Sequence, residues 1–417
     1  MADAAIETIS DVVCGFCGLG CDDLTVEVEG REVRAKGTTT GTVCPEAARL
    51  LRRLDVADRP AHIDGAEASF DEAAAAARAI LAGARAPLIG GLGADMAGAG
   101  ALTDLAVRFG GVLDHYASEG LFRNYAAAQR TGWLAVTLAE VRNRCDVLLV
   151  VGEDPTVNWG RLFERFFPET PLFADQTRKV VFLGGAPGEK AKGQLGHAEV
   201  SHIATSDPVA VLEALGVLAA GRTPPGTEFG GVAAEALAAL AQTLRAAHYA
   251  VVTWNAGASA DGDLIAERST VLVDALNVVT RAGVFPLGGR DNLIGVNQLM
   301  LWRLGYPLRT AVRGQASVHD GALYSTQASL ADADVLVWVS AFRPEPPPDF
   351  AGKIIALAHP ETVFDKEPDV VIPVGTPGVD HAGTVFRMDS IVSLPLGALR
   401  VATLPSVAEA VRRIAEG

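Results

Sequence analysis

The chain has 417 residues, with 50 acidic side chains against 35 basic ones and a formal net charge of −15. That length suits two or three domains, and the acidic balance, with no basic stripe, argues against nucleic acid or an anionic membrane as a partner. The N-terminus carries no signal-peptide pattern and no apolar run reaches the ~20 residues of a membrane span, so a cytoplasmic protein is expected.

The chain opens on cysteines. Four of its five lie in the first 44 residues: Cys14, Cys17, Cys21 and Cys44. Thiolates separated by two and by three intervening residues on a turning loop can converge on one centre. Gly15, Gly18 and Gly20 let that loop bend and aim backbone N–H groups at sulfur. Cys44 completes a shell of four, which suits a [4Fe–4S] cluster or a tetrahedral zinc. The short gap of three favours the cluster, because zinc cysteines usually come as two separate C-x2-C pairs. An empty, vestigial site is the other alternative. Disulfides fit poorly with the cytosolic pattern of cysteine usage.

Between the third and fourth cysteines, Leu24, Val26 and Val28 alternate with polar residues up to Glu29-Gly30, and Val33 follows, which predicts a hairpin. Pro45 at a tolerated first-turn position opens a helix running to Leu54, and residues 55–60 read as a linker. From Phe70 the pattern becomes strand, glycine turn and helix in succession. Apolar runs at residues 86–91, 111–114, 146–152, 179–184, 248–254, 333–339, 353–357 and 369–373 read as strands. Most of these runs are apolar on both faces and helices separate many of them, the mark of parallel sheets covered on both sides. The fold class is α/β with at least two doubly wound units. Such sheets bind ligands beyond the carboxyl ends of their strands. Four glycine loops lie there, among them Gly152-Glu153-Asp154-Pro155 and Phe285 to Asn292 with Gly289, and each is also explained by a tight turn alone. No G-x-S-x-G elbow and no H-E-x-x-H is present. Of the eight histidines only His359 and His381 fall where a ligand loop is expected.

The four-cysteine motif, the passage from Leu138 to Asp154, the passage from Phe285 to Asn297, Trp302 to Pro307, and Gly383 to Asp389 together resemble the molybdopterin-dependent oxidoreductases, and within them the B subunit of formylmethanofuran dehydrogenase. The resemblance implies a small N-terminal cluster-type domain over residues 1–58. It also implies two interleaved Rossmann-like domains, one formed by residues 59–135 and 245–417 and the other by residues 136–244, with no C-terminal β-barrel. It places Cys14, Cys17, Cys21 and Cys44 as metal ligands. It further places Gly152, Asp154, Gly289, Asn292 and Thr384 on vestigial pterin-binding loops, together with Asp380, Arg387 and Asp389.

The departures from that family carry the functional expectation. Active members hold molybdenum or tungsten through a cysteine or selenocysteine in a segment like Asp114 to Ser118, and none stands there or in its continuation from Glu119 to Asn124. The one spare thiol, Cys145, begins a strand. Molybdopterin or tungstopterin is therefore expected to be absent, since the soft ligand is missing. The pattern most resembles the B subunit of the formyltransferase/hydrolase complex of methylotrophic bacteria. By that resemblance the chain is a subunit without redox activity. Its complex would convert formyl-tetrahydromethanopterin to formate through a methanofuran-type carrier. Amidohydrolase-like, formyltransferase and glutamate-synthase-like barrel subunits are the implied partners. The alternative is an active tungsten or molybdenum dehydrogenase subunit with an iron–sulfur cluster.

Overall fold

In the computed structural model the described residues are 5–53, 59–174 and 177–416. They belong to two compact units, residues 1–118 with 289–417, and residues 119–288.

The first unit carries the four clustered cysteines. Its N-terminal part is a three-stranded antiparallel sheet of Ile6–Val12, Leu24–Glu29 and Glu32–Thr38. The last two strands are the expected hairpin, and Gly30 supplies the φ of 61° that its turn needs. Alternation buries Leu24, Val26 and Val28. The strand Ile6–Val12 went unread in the sequence, because only Val12 of its seven residues is buried and no alternation marks it. The helix after Cys44 spans Pro45–Leu51. Leu54, its expected end, and residues 55–58 of the expected linker lie outside the described residues.

The rest of this unit is built on a nine-stranded sheet. Its order is Ala316–His319, Thr310–Arg313, Gly111–Leu113, Pro87–Gly93, Val335–Ser340, Lys353–Ala358, Val370–Pro373, Ala61–Ile63 and Ala66–Ala68. The central five are parallel and the two strands at each edge are antiparallel. Numbered along the chain, the parallel strands run 2-1-3-4-5. In such a doubly wound sheet the ligand crevice lies beyond the carboxyl ends of strands 1 and 3, which here are Pro87–Gly93 and Val335–Ser340. Every residue of these two strands is buried. Helices Phe70–Gly83, Met96–Phe109 and Leu293–Leu304 pack on the sheet.

The second unit holds a five-stranded parallel sheet in the order Glu199–Ile203, Lys179–Gly184, Val147–Gly152, Ala250–Trp254 and Ala282–Pro286. Along the chain this reads 3-2-1-4-5, again doubly wound. Its core joins Leu149, Val181 and Val252 of the sheet to Leu215, Leu237 and Leu272 of the helices. The last two strands correct the expected division at 135/136 and 244/245. Ala250–Trp254 pairs in parallel with Val147–Gly152 and is buried throughout, so it cannot leave that sheet without exposing an apolar strand. The unit accordingly extends over residues 119–288, and residues 1–58 belong to the first unit rather than standing apart.

Among the described residues no set of strands closes into a barrel. No helix among them is long and apolar enough to cross a membrane.

Candidate metal centre

The loop from Cys14 to Cys21 is closed by its own backbone: the Cys14 N–H donates to the Cys21 carbonyl at 2.7 Å. Gly18 and Gly20 take φ of 84° and 64°, the left-handed turns that fold the loop back. Cys14, Cys17 and Cys21 are buried, and Cys44 is half-buried. None of the five cysteines is in a disulfide. Backbone N–H groups already point at sulfur: those of Phe16 and Leu19 at Cys14 and Cys17, and that of Ala47 at Cys44, at 3.4 Å. Cys44 thereby caps the helix Pro45–Leu51 with its sulfur.

The four thiols feel one another. Burial first, then Cys17 and Cys21, and more weakly Cys44, push the Cys14 thiol well up. Burial and Cys21, with Glu46 and Cys44 adding, do the same to Cys17. Buried like charges at this spacing are costly, and a bound cation removes the cost by taking the thiolates as ligands. Sulfurs in a bent glycine loop that receive backbone N–H groups fit an iron–sulfur cluster. Among the described residues, no three His, Cys, Asp or Glu side chains converge closely enough to grip a single ion.

A buried polar network backs the loop. The Phe16 carbonyl, inside the C-x2-C turn, accepts from the Asp291 N–H at 2.9 Å. Arg343 follows the strand Val335–Ser340 and holds the Asp291 carboxylate with two bonds, 2.5 Å from Nε and 2.6 Å from Nη2. Its Nη1 reaches Glu46 at 2.8 Å, and Nη2 lies 3.4 Å from the Phe16 carbonyl. The Tyr116 hydroxyl donates to Asp291 at 2.6 Å. Nδ1 of His115 accepts from the Ala117 N–H at 3.0 Å, so Nε2 carries the proton and faces the Asp291 carbonyl at 3.3 Å. Burial, against the pull of Asp291, lowers His115 to about 4. Burial would lower the Arg343 guanidinium too, but the Asp291 carboxylate outweighs it and holds it above its ordinary value. Sequence reading missed Glu46, Tyr116, Asp291 and Arg343 as a group. Phe16 and Arg343 are 327 residues apart, and no local pattern announces such a pairing.

The expected pterin-loop residues divide between the two units. In the second unit, Gly152 ends its strand with a φ of 96°. Asp154 spends both carboxylate oxygens on the chain: Oδ1 accepts from the backbone and hydroxyl of Thr156, and Oδ2 from Gly188 N–H, all at 2.8 Å. In the first unit, Gly289 has a φ of 87° and packs against Met388. Asn292 is buried and bridges two segments, donating to the Ala94 carbonyl and accepting from Phe386 N–H, each at 2.9 Å. Phe386 ends the strand Gly383–Phe386 that contains Thr384. Arg387 pairs with buried Asp389, and Arg400 with Asp380 at 2.6 Å. His359 is buried against Arg53, which donates to Nε2 at 2.9 Å. His381 lies against the carbonyls of Gly375 and Ala382. Cys145 is buried in the second unit, with its thiol raised to about 12 chiefly by burial.

These features define a class: an α/β chain that joins a four-thiol glycine loop to a pair of doubly wound sheets. No protein-family model matches the chain. It is a homologue of the B subunits of formylmethanofuran dehydrogenase and of the formyltransferase/hydrolase complex. It is 24% identical over 416 residues to the B subunit of the tungsten-containing formylmethanofuran dehydrogenase 2 of Methanocaldococcus jannaschii, covering 93% of this chain and 92% of that one. To the B subunit of the formyltransferase/hydrolase complex Fhc of Methylorubrum extorquens it is 28% identical over 338 residues, covering 78% and 88%. The crystal structure of the FhcABCD complex of M. extorquens with methylofuran contains a chain that superposes with a TM-score of 0.72 at 25% identity, covering 85% of this chain and 98% of that chain.

Proposed function

We propose that the protein is a subunit without redox activity in a complex that transfers and hydrolyses a formyl group. The complex converts formyl-tetrahydromethanopterin to formate through a methanofuran-type carrier. The partners are amidohydrolase-like, formyltransferase and glutamate-synthase-like subunits, and the setting is cytoplasmic. Likeness to the B subunits of both complexes supports the assembly. One observation carries the choice between them: the segment that should offer a soft ligand has none, and its polar groups are already engaged. His115 and Tyr116 turn to Asp291, and the Ser118 hydroxyl takes two bonds from Arg309, at 3.2 and 3.1 Å. By the resemblance, active members hold molybdenum or tungsten through a cysteine or selenocysteine in this segment, and the residues present here do not supply that ligand.

Cys14, Cys17, Cys21 and Cys44 fit a [4Fe–4S] cluster, which when bound supplies an electron reservoir or a covalent staple. The chain's own part is to hold four sulfurs, donate N–H groups to them and exclude water. Affinity capture of the tagged chain from its native host tests the reading. The expected result is co-purification of the three partner subunits, with formyl hydrolysis and no dye reduction by formate. Formate-dependent dye reduction by that preparation would favour the live dehydrogenase instead.

A further inference from the structure

We propose that Arg343 is the positioning residue of the four-cysteine site, tying its two separate segments together and setting the charge they experience. The inference rests on the reading of these cysteines as ligands. Cys14, Cys17 and Cys21 lie on one loop, while Cys44 caps a helix that follows the hairpin. Arg343 touches both. Its guanidinium faces the Phe16 carbonyl on the loop and bonds Glu46 in the first turn of the helix. Asp291 completes the tie by taking the remaining edge of the guanidinium and giving its own N–H to Phe16.

Location supports this role. Arg343 lies just past the carboxyl end of Val335–Ser340, one of the two strands that frame the crevice of the 2-1-3-4-5 sheet. Asp291 approaches Gly93, the end of the other. Where such a sheet would take a ligand, this one takes an ion pair that reaches the cysteine loop. The arrangement is held under tension, since Asp291 and Asn292 both adopt positive φ, 50° and 62°. Consecutive non-glycine residues in that region persist only when their surroundings over-determine them. Here Tyr116, Arg343, Ala94 and Phe386 do so.

Charge gives the second half. Glu46 is an acidic side chain in the first turn of the helix that Cys44 caps. Arg343 is the cation bonded to that carboxylate. Buried between Asp291 and Glu46, it offsets anionic charge beside sulfurs that become anionic on ligation. A nearby positive charge favours the reduced, more negative state of a cluster. Loss of Arg343 therefore lowers the reduction potential, and neutralising Glu46 raises it.

The test compares the full chain, in its complex, with Arg343→Met, Arg343→Lys and Glu46→Gln. Anaerobic reconstitution with ferrous iron and sulfide measures loading, and dithionite titration measures the midpoint potential. Hydrogen exchange of the metal-free chain reports segments 14–21 and 44–51. In Arg343→Met both segments are expected to exchange at least tenfold faster together, and iron loss to a chelator to accelerate. Arg343→Lys keeps the charge without the fork, so it restores the potential but not the protection. Glu46→Gln, the milder change, shifts the potential upward even if Arg343→Met does not fold. A wild type that binds iron, with unchanged exchange and potential in these variants, overturns this proposal alone. A wild type that binds no iron overturns the ligand reading and this proposal together.

Discussion

Arg343 and Asp291 pair across 52 residues of sequence, and what they meet, Phe16 and Glu46, lies still further away. Interactions at this scale are decided by burial and geometry. His115 shows the consequence for pH. Its folded-state value, about 4, lies below the ordinary 6.5, so the unfolded chain takes up the proton first. The stability it contributes is fully present above about pH 6.5 and is lost as pH falls towards 4, up to roughly 3 kcal/mol. Denaturation midpoints measured from pH 7 to pH 4.5 should fall for the wild type. His115→Gln should show a slope shallower by up to ~1.4 kcal/mol per pH unit, and an unchanged slope would remove His115 from the account. Gly91 is a second residue-scale case. It has a φ of 75°, and an added Cβ would sit 2.5 Å from the Val339 carbonyl oxygen. Backbone cannot retreat as a side-chain tip can, so Gly91→Ala should cost roughly 2–4 kcal/mol in equilibrium unfolding.

Single elements were the most legible part of the sequence. The run at 179–184 is the strand Lys179–Gly184, the run at 353–357 the strand Lys353–Ala358, and Glu29-Gly30 the hairpin turn. Each is marked by a dense apolar run or by turn chemistry that works over a few residues. Ile6–Val12 left no such trace because its faces are mostly exposed, and the unit boundary was misplaced because strand order in a sheet is a long-range property. The four cysteines were legible, since their spacing is local. The network behind them was not. The last helix shows how far local rules carry. Ser406 and Glu409 form a reciprocal capping box, at 3.2 Å and 2.7 Å. Val407, Ala410, Val411 and Ile414, spaced to share one helix face, are buried, and the helix packs on Met96–Phe109 and Phe70–Gly83. Ser406→Ala should lower stability by about 1 kcal/mol. An unchanged denaturation midpoint would mean that packing alone sets this terminus.

The molecule as a whole combines two doubly wound units with a four-thiol loop, and residues 114–121 contain no cysteine. Asp154, Asn292, Arg387 and Asp389 are spent on the protein's own backbone and on each other. A chain that uses its loop residues in this way is expected to keep its fold and its place in an assembly without the pterin. Cys14→Ser should then abolish iron binding while leaving partner capture intact, as read by iron content and subunit stoichiometry. Loss of the partners on that change would give the cluster a direct role in assembly.

Metal analysis of the anaerobically purified complex tests the central claim most directly. The account predicts about four irons per copy of this chain, as one cluster on four cysteines requires, with neither tungsten nor molybdenum in stoichiometric amount. Stoichiometric tungsten or molybdenum, or zinc in place of iron, would contradict it.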